Sequence, residues 1–255
     1  MSVARKNKAL IAENKMIAQD IYSMWLNAPD IAEEAKPGQF VSLYCNNGNK
    51  LLPRPISICE IDKIKGRVRL VYRIVGKGTK EIAGLRAQDY IEAMGPLGNG
   101  FILEGKKALL IGGGIGIPPM LELAKQLSCD KQIVLGYRDT TFLEQEFKAY
   151  GGVYISTEDG SNGTKGNVID AIKANELEAD IIFACGPTPM LKGVKAYALE
   201  HGIKVQLSLE ERMACGVGAC LGCVCKSKEI DHHSNVHNKR ICKDGPVFYG
   251  EEVEL

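Results

Sequence analysis

Ala108-Leu109-Leu110-Ile111-Gly112-Gly113-Gly114-Ile115-Gly116-Ile117-Pro118-Pro119 carries a short apolar run into a glycine turn and on into a helix. Four apolar residues ending in glycines read as a strand. From Pro118 to Leu127, the residues Met120, Leu123, Ala124 and Leu127 fall at helical spacing. More apolar runs follow at Ile133-Val134-Leu135, Val153-Tyr154-Ile155, Asp180 to Ala184 and Val205 to Leu209. Helical segments are expected between them, at Leu143 to Tyr150, Val168 to Ala174 and Thr188 to His201. Strands alternating with helices predict a parallel α/β sheet, covered on both faces, over residues 101–207.

The glycine turn is not the dinucleotide fingerprint, because Ile117 stands where the third glycine belongs. A loop of Gly112, Gly113, Gly114 and Gly116 still leaves room for a planar ring or a phosphate at a strand's carboxyl end. Cys185-Gly186-Pro187 sits at a comparable junction later in the same sheet. Each could be an ordinary tight turn; together they outline a nucleotide crevice. Past the strand at Ile133 to Gly136, Asp139 suits a ribose hydroxyl and Arg138 a 2′-phosphate, or both are surface charges.

Residues 1–100 read differently. Phe40 to Tyr44, Ile56 to Ile61, Arg67 to Val75 and Tyr90 to Met94 are short strand patterns. Turn signals separate them at Pro37-Gly38, Asn47-Gly48, Gly76 and Gly95-Pro96. This predicts an antiparallel β-barrel. Arg54-Pro55-Ile56-Ser57 opens one strand: Pro55 stiffens the entry, Arg54 could pair with a pyrophosphate and Ser57 could offer a hydroxyl to a flavin edge, or the string is an ordinary strand start with a surface arginine. Val71-Tyr72-Arg73 closes another, with Tyr72 able to border a flavin or simply fill a strand position. Gly76-Lys77-Gly78-Thr79 then opens a helix whose amides suit phosphate. Gly95 to Gly100 is a turn cluster at the domain junction.

Residues 208–255 are rich in Cys and Gly and too poor in periodic apolar residues to build a core alone; a bound metal centre would supply the missing stability. Cys215, Cys220 and Cys223 form C-x4-C-x2-C, and Cys242 follows at a distance. That is plant-type 2Fe–2S spacing. Gly216, Gly218, Ala219 and Gly222 permit the close, irregular path such a cluster needs. The alternative is a structural zinc site, which favours paired C-x2-C units. Cys225 is expected to be a spare, and His232, His233 and His237 to lie in a solvated loop, since the paired Cys and His motifs of a Rieske centre are missing. His201 is expected to cap a helix end.

The 255 residues carry Lys+Arg 32 against Asp+Glu 31, a net charge of +1, which argues against nucleic acid as a partner. No run approaches the roughly 20 apolar residues of a membrane span, and Met1 to Gln19 lacks a secretory pattern, so a cytoplasmic protein is expected. Nine cysteines, five of them near the C-terminus, then point to metal or redox chemistry rather than disulfides.

Taken in order, Arg54 to Ser57, Gly78-Thr79, the Gly112 to Gly116 turn, Cys185 to Pro187 and the cysteine set resemble the ferredoxin reductase superfamily. Glu210 to Cys223 and Cys242-Lys243-Asp244-Gly245-Pro246-Val247-Phe248 are similar to the cluster segment of the electron-transfer subunits of NAD-dependent dihydroorotate dehydrogenase. The resemblance spans nearly the whole chain. It implies FAD at Arg54, Pro55, Ile56, Ser57, Val71, Tyr72, Arg73, Gly78 and Thr79. It implies NAD at Gly112, Gly113, Gly114, Gly116, Cys185, Gly186 and Pro187, and a 2Fe–2S cluster on Cys215, Cys220, Cys223 and Cys242. It also implies an FMN-containing catalytic dihydroorotate dehydrogenase subunit as partner, in a heterotetramer of two of each. Alternatives are a subunit of a ferredoxin:NAD(P) oxidoreductase or sulfide dehydrogenase complex, and, outside enzymes, a zinc-stabilised nucleotide-binding module. No catalytic acid or base is expected.

Overall fold

The structure is a computed structural model and describes residues 6–45, 50–230 and 235–255. The Asn47-Gly48 turn and His232 and His233 lie outside the described residues. No helix among the described residues is long and apolar enough to cross a membrane.

Six strands close a barrel in the order β1-β2-β5-β4-β3-β6. They are β1 (Lys6–Ala18), β2 (Ile21–Asn27), β3 (Phe40–Tyr44), β4 (Arg54–Asp62), β5 (Arg67–Arg73) and β6 (Tyr90–Leu97), with helices α1 (Pro29–Glu34) and α2 (Lys77–Ala83) in the connections. Ile11, Met24, Leu26, Val41, Leu43, Ile58 and Leu70 fill its interior. The sequence patterns located β3 to β6 but not β1 and β2. In β1, Ala9 and Ile11 are the buried pair, and most of its other residues are exposed or half-buried, so the alternation is weak. Pairing with β2 on one side and β6 on the other holds it.

The second sheet has seven strands in the order β10-β9-β8-β7-β11-β12-β15. These are β7 (Lys107–Gly113), β8 (Asp130–Tyr137), β9 (Gly152–Thr157), β10 (Thr164–Lys165), β11 (Ile181–Cys185), β12 (Lys204–Ser208) and β15 (Val247–Tyr249). All run parallel except β15, which is antiparallel to β12. Helices α3 (Pro118–Gln126) and α4 (Glu144–Phe147) cover one face, and α5 (Val168–Ala174) and α6 (Thr188–Glu200) the other. Between β12 and β15, β13 (Val224–Lys226) pairs antiparallel with β14 (Asn238–Arg240).

The C-terminal segment builds no separate core. Cys223, Ile241, Cys242, Phe248 and Val253 join the apolar cluster beneath α5 and α6. Phe40 and Leu97 of the barrel enter the same cluster, so this segment wedges barrel and sheet together.

Buried charge pins the other side of that junction. Glu122 on α3 is 1% exposed. Its carboxylate accepts from the Ile61 amide at 2.8 Å and from the Gln126 amide at 2.7 Å. Lys125 reaches back to the Ile61 carbonyl at 3.2 Å. Nearby, the buried Arg69 guanidinium on β5 donates to Glu60, to Ser23 and, across the junction, to Glu146 on α4.

Burial raises the Glu122 carboxyl above its ordinary 4.5, against the opposing pull of Gln126, Ile61 and Lys125. The folded state therefore holds this proton more tightly than the unfolded chain does. The stability it supplies is complete below pH 4.5 and is lost as pH rises through the raised folded value. Glu122→Gln removes this term. Urea unfolding should show the variant gaining on the parent protein as pH rises from weakly acidic to neutral.

Candidate cofactor-binding and cluster site

Leu209 to Gly222 forms no helix or strand and loops over the barrel–sheet junction. Gly216 and Gly218 take φ of 71° and 78°, which side chains rarely adopt. These turns draw the four cysteines into two pairs. The Cys220 and Cys215 sulfurs lie 3.3 Å apart. The Cys242 amide donates to the Cys223 sulfur at 3.4 Å. Further amides reach sulfur, Gly218 to Cys242 at 3.1 Å and Val217 to Cys215 at 3.5 Å.

Burial opposes ionisation of Cys215, but bonds from the Val217, Cys220 and Ala219 amides and the Cys220 thiol prevail and draw it down to about 6. Cys242 goes the other way: burial, then Cys223, push it up to about 12. The amides around Cys215 thus favour its thiolate, while Cys242 keeps its proton until a metal displaces it.

Among the described residues, no three Cys, His, Asp or Glu side chains converge closely enough to hold a single ion. A zinc site needs four donors around one centre. Two cysteine pairs joined by amide-to-sulfur bonds fit a two-iron cluster, in which each iron takes two thiolates. Cys225 stands apart on β13, its thiol 3.6 Å from the Lys239 carbonyl and pushed by burial to about 11. The His237 ring sits 2.9 Å from the Lys228 carbonyl. The His201 ring packs back on its own helix, 2.8 Å from the Tyr197 carbonyl.

Two supporting residues escaped the sequence reading. Arg240, 6% exposed, donates to the Gly218 carbonyl at 3.1 Å and pairs with Asp244. The Asn99 side chain donates to the Lys243 and Asp244 carbonyls, both at 3.0 Å, and its amide to Gly245 at 2.6 Å. Only the turn signal around Gly98 and Gly100 hinted at Asn99; an arginine near a cysteine motif carries no signal by itself.

In the barrel, Arg54 begins β4 and Gly78 lies in the first turn of α2. The structure brings them together: a Cβ on Gly78 would collide with the guanidinium of Arg54. The Lys50 and Leu52 carbonyls hold that guanidinium beside the helix start. Cation and helical amides side by side suit a pyrophosphate. Thr79 shapes the turn, its hydroxyl accepting from the Val75 and Gly76 amides at 3.0 and 3.3 Å. Pro55 and Ser57 are half-buried on the strand, opposite Ser42 and Phe40. Ile56 turns inward to the barrel core and Arg73 is exposed.

Tyr72 lies in the barrel core. Its ring is 1% exposed, lies 6.0 Å from Tyr22, and donates its hydroxyl to Asn14 at 3.1 Å. An inward-facing strand position accounts for this. Val71 is buried in the same apolar cluster as Ile117, which sets β5 against the glycine turn of the sheet.

The two glycine turns of the sheet meet. Gly112 of β7 pairs with Cys185 of β11. A Cβ on Gly116 would lie 2.5 Å from the Cys185 carbonyl carbon and 2.6 Å from the Gly186 nitrogen. One on Gly113 would press on Met190 and Pro187, whereas Gly114 faces open space with φ of 52°. The backbone itself thus lines a crevice at the carboxyl ends of adjacent parallel strands. Burial pushes the Cys185 thiol to about 12, with a Ser208 hydrogen bond opposing. Arg138 and Asp139 are exposed beyond β8, Asp139 accepting from the Thr140 amide at 2.5 Å.

Solved structures share this arrangement. An NADH-dependent reduced ferredoxin–NADP oxidoreductase superposes with a TM-score of 0.86 at 31% identity, covering 100% of this chain and 91% of that one. The ferredoxin reductase of carbazole 1,9a-dioxygenase shares the fold alone, at a TM-score of 0.66 and 18% identity, covering 80% and 68%. Fold and site together define an oxidoreductase subunit of the ferredoxin reductase class.

Residues 8–101 match the oxidoreductase FAD-binding domain, and residues 210–254 match the iron–sulfur cluster binding domain of dihydroorotate dehydrogenase B. The chain is 42% identical to the dihydroorotate dehydrogenase B (NAD+) electron transfer subunit of Caldanaerobacter subterraneus subsp. tengcongensis, over 97% of this chain and 98% of the relative. It is 44% identical to the subunit of the same description from Fusobacterium nucleatum, over 96% and 97%. The chain belongs to the family of dihydroorotate dehydrogenase B (NAD+) electron transfer subunits.

Proposed function

We infer that this chain carries electrons from a catalytic dihydroorotate dehydrogenase subunit to NAD+, using FAD and a 2Fe–2S cluster, in pyrimidine biosynthesis. The observation that carries the reading is the pair of cysteine pairs at the junction of barrel and sheet, within a loop matching the family's cluster domain. A flavin exchanges electrons in pairs with nicotinamide and singly with an iron–sulfur centre, which is the conversion this route needs.

The residues of the chain supply position. Arg54 and the start of α2 hold a pyrophosphate, with Ser57 offering its hydroxyl further along β4. The Gly112 to Gly116 turn and Cys185 to Pro187 admit nicotinamide against bare backbone. Cys215, Cys220, Cys223 and Cys242 would hold the irons, and the amides of Val217, Gly218 and Cys242, which donate to cysteine sulfur, would offset its negative charge. The junction core keeps the three sites at fixed separations. We place FMN and dihydroorotate oxidation in the partner, the assembly at two of each subunit, and the complex in the cytoplasm.

A second reading, a flavin and iron–sulfur subunit of a ferredoxin:NAD(P) oxidoreductase, draws on the 31% identity to that solved structure. Co-purification with the catalytic subunit separates the two. The complex should contain FAD, iron and acid-labile sulfide, and should reduce NAD+ on addition of dihydroorotate. Intact cofactors with no dihydroorotate-dependent NAD+ reduction would favour the second reading.

A further inference from the structure

Strand β3 has two unlike faces. Val41 and Leu43 point into the barrel core. Phe40, Ser42 and Tyr44 alternate with them on the outer face, and Phe40 joins the apolar cluster that contains Cys223 and Cys242. The cluster segment, not solvent, therefore covers this face. Ser42 is 0% exposed. Its hydroxyl has no hydrogen-bond partner, a costly condition for a buried polar group.

The surroundings of that hydroxyl are specific. A Cβ on Gly216, next to Cys215, would lie 3.0 Å from the Ser42 oxygen. Met94 stands opposite Ser42 in the β3–β6 pairing, and Met94 and Cys215 pack against the same apolar cluster. Tyr44, two residues along the same face, has its hydroxyl raised by burial, with Lys6 opposing and charge on Cys215 adding to the rise. On its other side Ser42 pairs with Pro55 of the proposed flavin strand. The unpartnered hydroxyl thus lies between that strand and the loop bearing Cys215.

We propose that Ser42 donates a hydrogen bond to a sulfur of the cluster bound at Cys215 and so raises the cluster's reduction potential. A donor on sulfur withdraws electron density and favours the reduced, more negative state. The missing acceptor of Ser42 is then the cluster itself. The glycine at 216 is required twice: for its φ of 71° and because a side chain would fill the gap the hydroxyl crosses.

The inference rests on the cluster reading, and the experiment separates the two. Iron and acid-labile sulfide in the anaerobically isolated parent protein test the cluster reading; their absence overturns both. Redox titration of the loaded full-length protein, followed by electron paramagnetic resonance for the cluster and visible absorption for the flavin, tests Ser42. Ser42→Ala should move the cluster to a more negative potential and leave the flavin couple in place. Ser42→Thr, which keeps the hydroxyl, should restore the parent value. Exchangeable-proton couplings to the cluster, seen in ordinary water and lost in deuterium oxide, will include those of the Val217, Gly218 and Cys242 amides; one further coupling present in the parent should be missing from Ser42→Ala.

Apoprotein melting adds a readout that does not depend on loading. The hydroxyl has no partner before the cluster binds, so apo Ser42→Ala should melt no lower than the apo parent. An unchanged cluster potential in loaded Ser42→Ala, or a shift confined to the flavin, overturns the proposal. If Ser42→Ala loads no cluster, Ser42→Cys, which replaces the hydroxyl with a weaker donor, decides: a more negative cluster potential supports the proposal and an unchanged one overturns it.

Discussion

Cys223→Ser is expected to empty the C-terminal segment of iron and sulfide while leaving flavin bound in the barrel. Cys223 is 1% exposed and its sulfur receives the Cys242 amide, so a shorter, harder oxygen there breaks one cysteine pair and its link to the backbone. Changes to residues that merely support a metal ligand cost roughly 10–100-fold. Loss of a ligand should exceed this, lowering dihydroorotate-dependent NAD+ reduction by the complex by more than about 100-fold. NADH oxidation by a small artificial acceptor, which needs only the flavin and nicotinamide sites, should largely survive. The melting temperature should also fall, because metal binding energy is folding energy, and Phe248 of β15 packs in the same apolar cluster as Cys223 and Cys242. Iron analysis, the two activity assays and a thermal scan check these outcomes. Equal loss of both activities would mean that the cysteines serve the fold rather than the electron route.

Gly116→Ala is expected to disable the nicotinamide site and destabilise the sheet together. The added carbon meets the backbone of Cys185 and Gly186 at 2.5 and 2.6 Å, and backbone cannot swing aside as a side-chain tip can. Overpacking of this kind costs about 1–3 kcal/mol. Relief requires one turn to retreat from the other, which closes or skews the crevice. NADH binding should weaken at least about tenfold, equivalent to about 1.4 kcal/mol, with iron and flavin contents unchanged. Gly114→Ala is the comparison. Nothing lies within 4 Å of its added carbon, so only the cost of a φ of 52° applies, about 1–2 kcal/mol. Urea unfolding and equilibrium NADH titration measure both variants.

Much of this was legible along the chain. The α/β sheet announced itself because each buried strand is a contiguous apolar run and each helix repeats its own period. Val168 to Ala174 was expected to be helical and is α5; Thr188 to His201 was expected and is α6, ending at Glu200. Leu143 to Tyr150 shrank to the four residues of α4, with Leu143 at φ 64° just before it. In the N-terminal part, Arg67 to Val75 stops as a strand at Arg73, where the chain turns toward Gly76 and α2. The two readings of Tyr72, bordering a flavin or filling a strand position, have the same sequence signal; its ring is buried and its hydroxyl bonds Asn14. An aromatic beside a glycine turn looks the same in sequence whether it faces a ligand or Asn14.

The sequence alone determined the cysteine spacing and the order of the parts. Cysteine spacing is local, thiolate chemistry belongs to the residue itself, and periodicity is written within each element. Tertiary structure decided how those parts are joined: Glu122 on the Ile61 amide, Arg69 on Glu146, Asn99 and Arg240 on the cluster loop, Ser42 beneath Gly216, and β15 inside the α/β sheet. Many of these contacts join residues far apart in the chain, and none has a local pattern to announce it. Most arise because burying the barrel, the sheet and the cysteine loop against one another leaves polar groups that only a distant residue can satisfy, while the Ser42 hydroxyl is left without one.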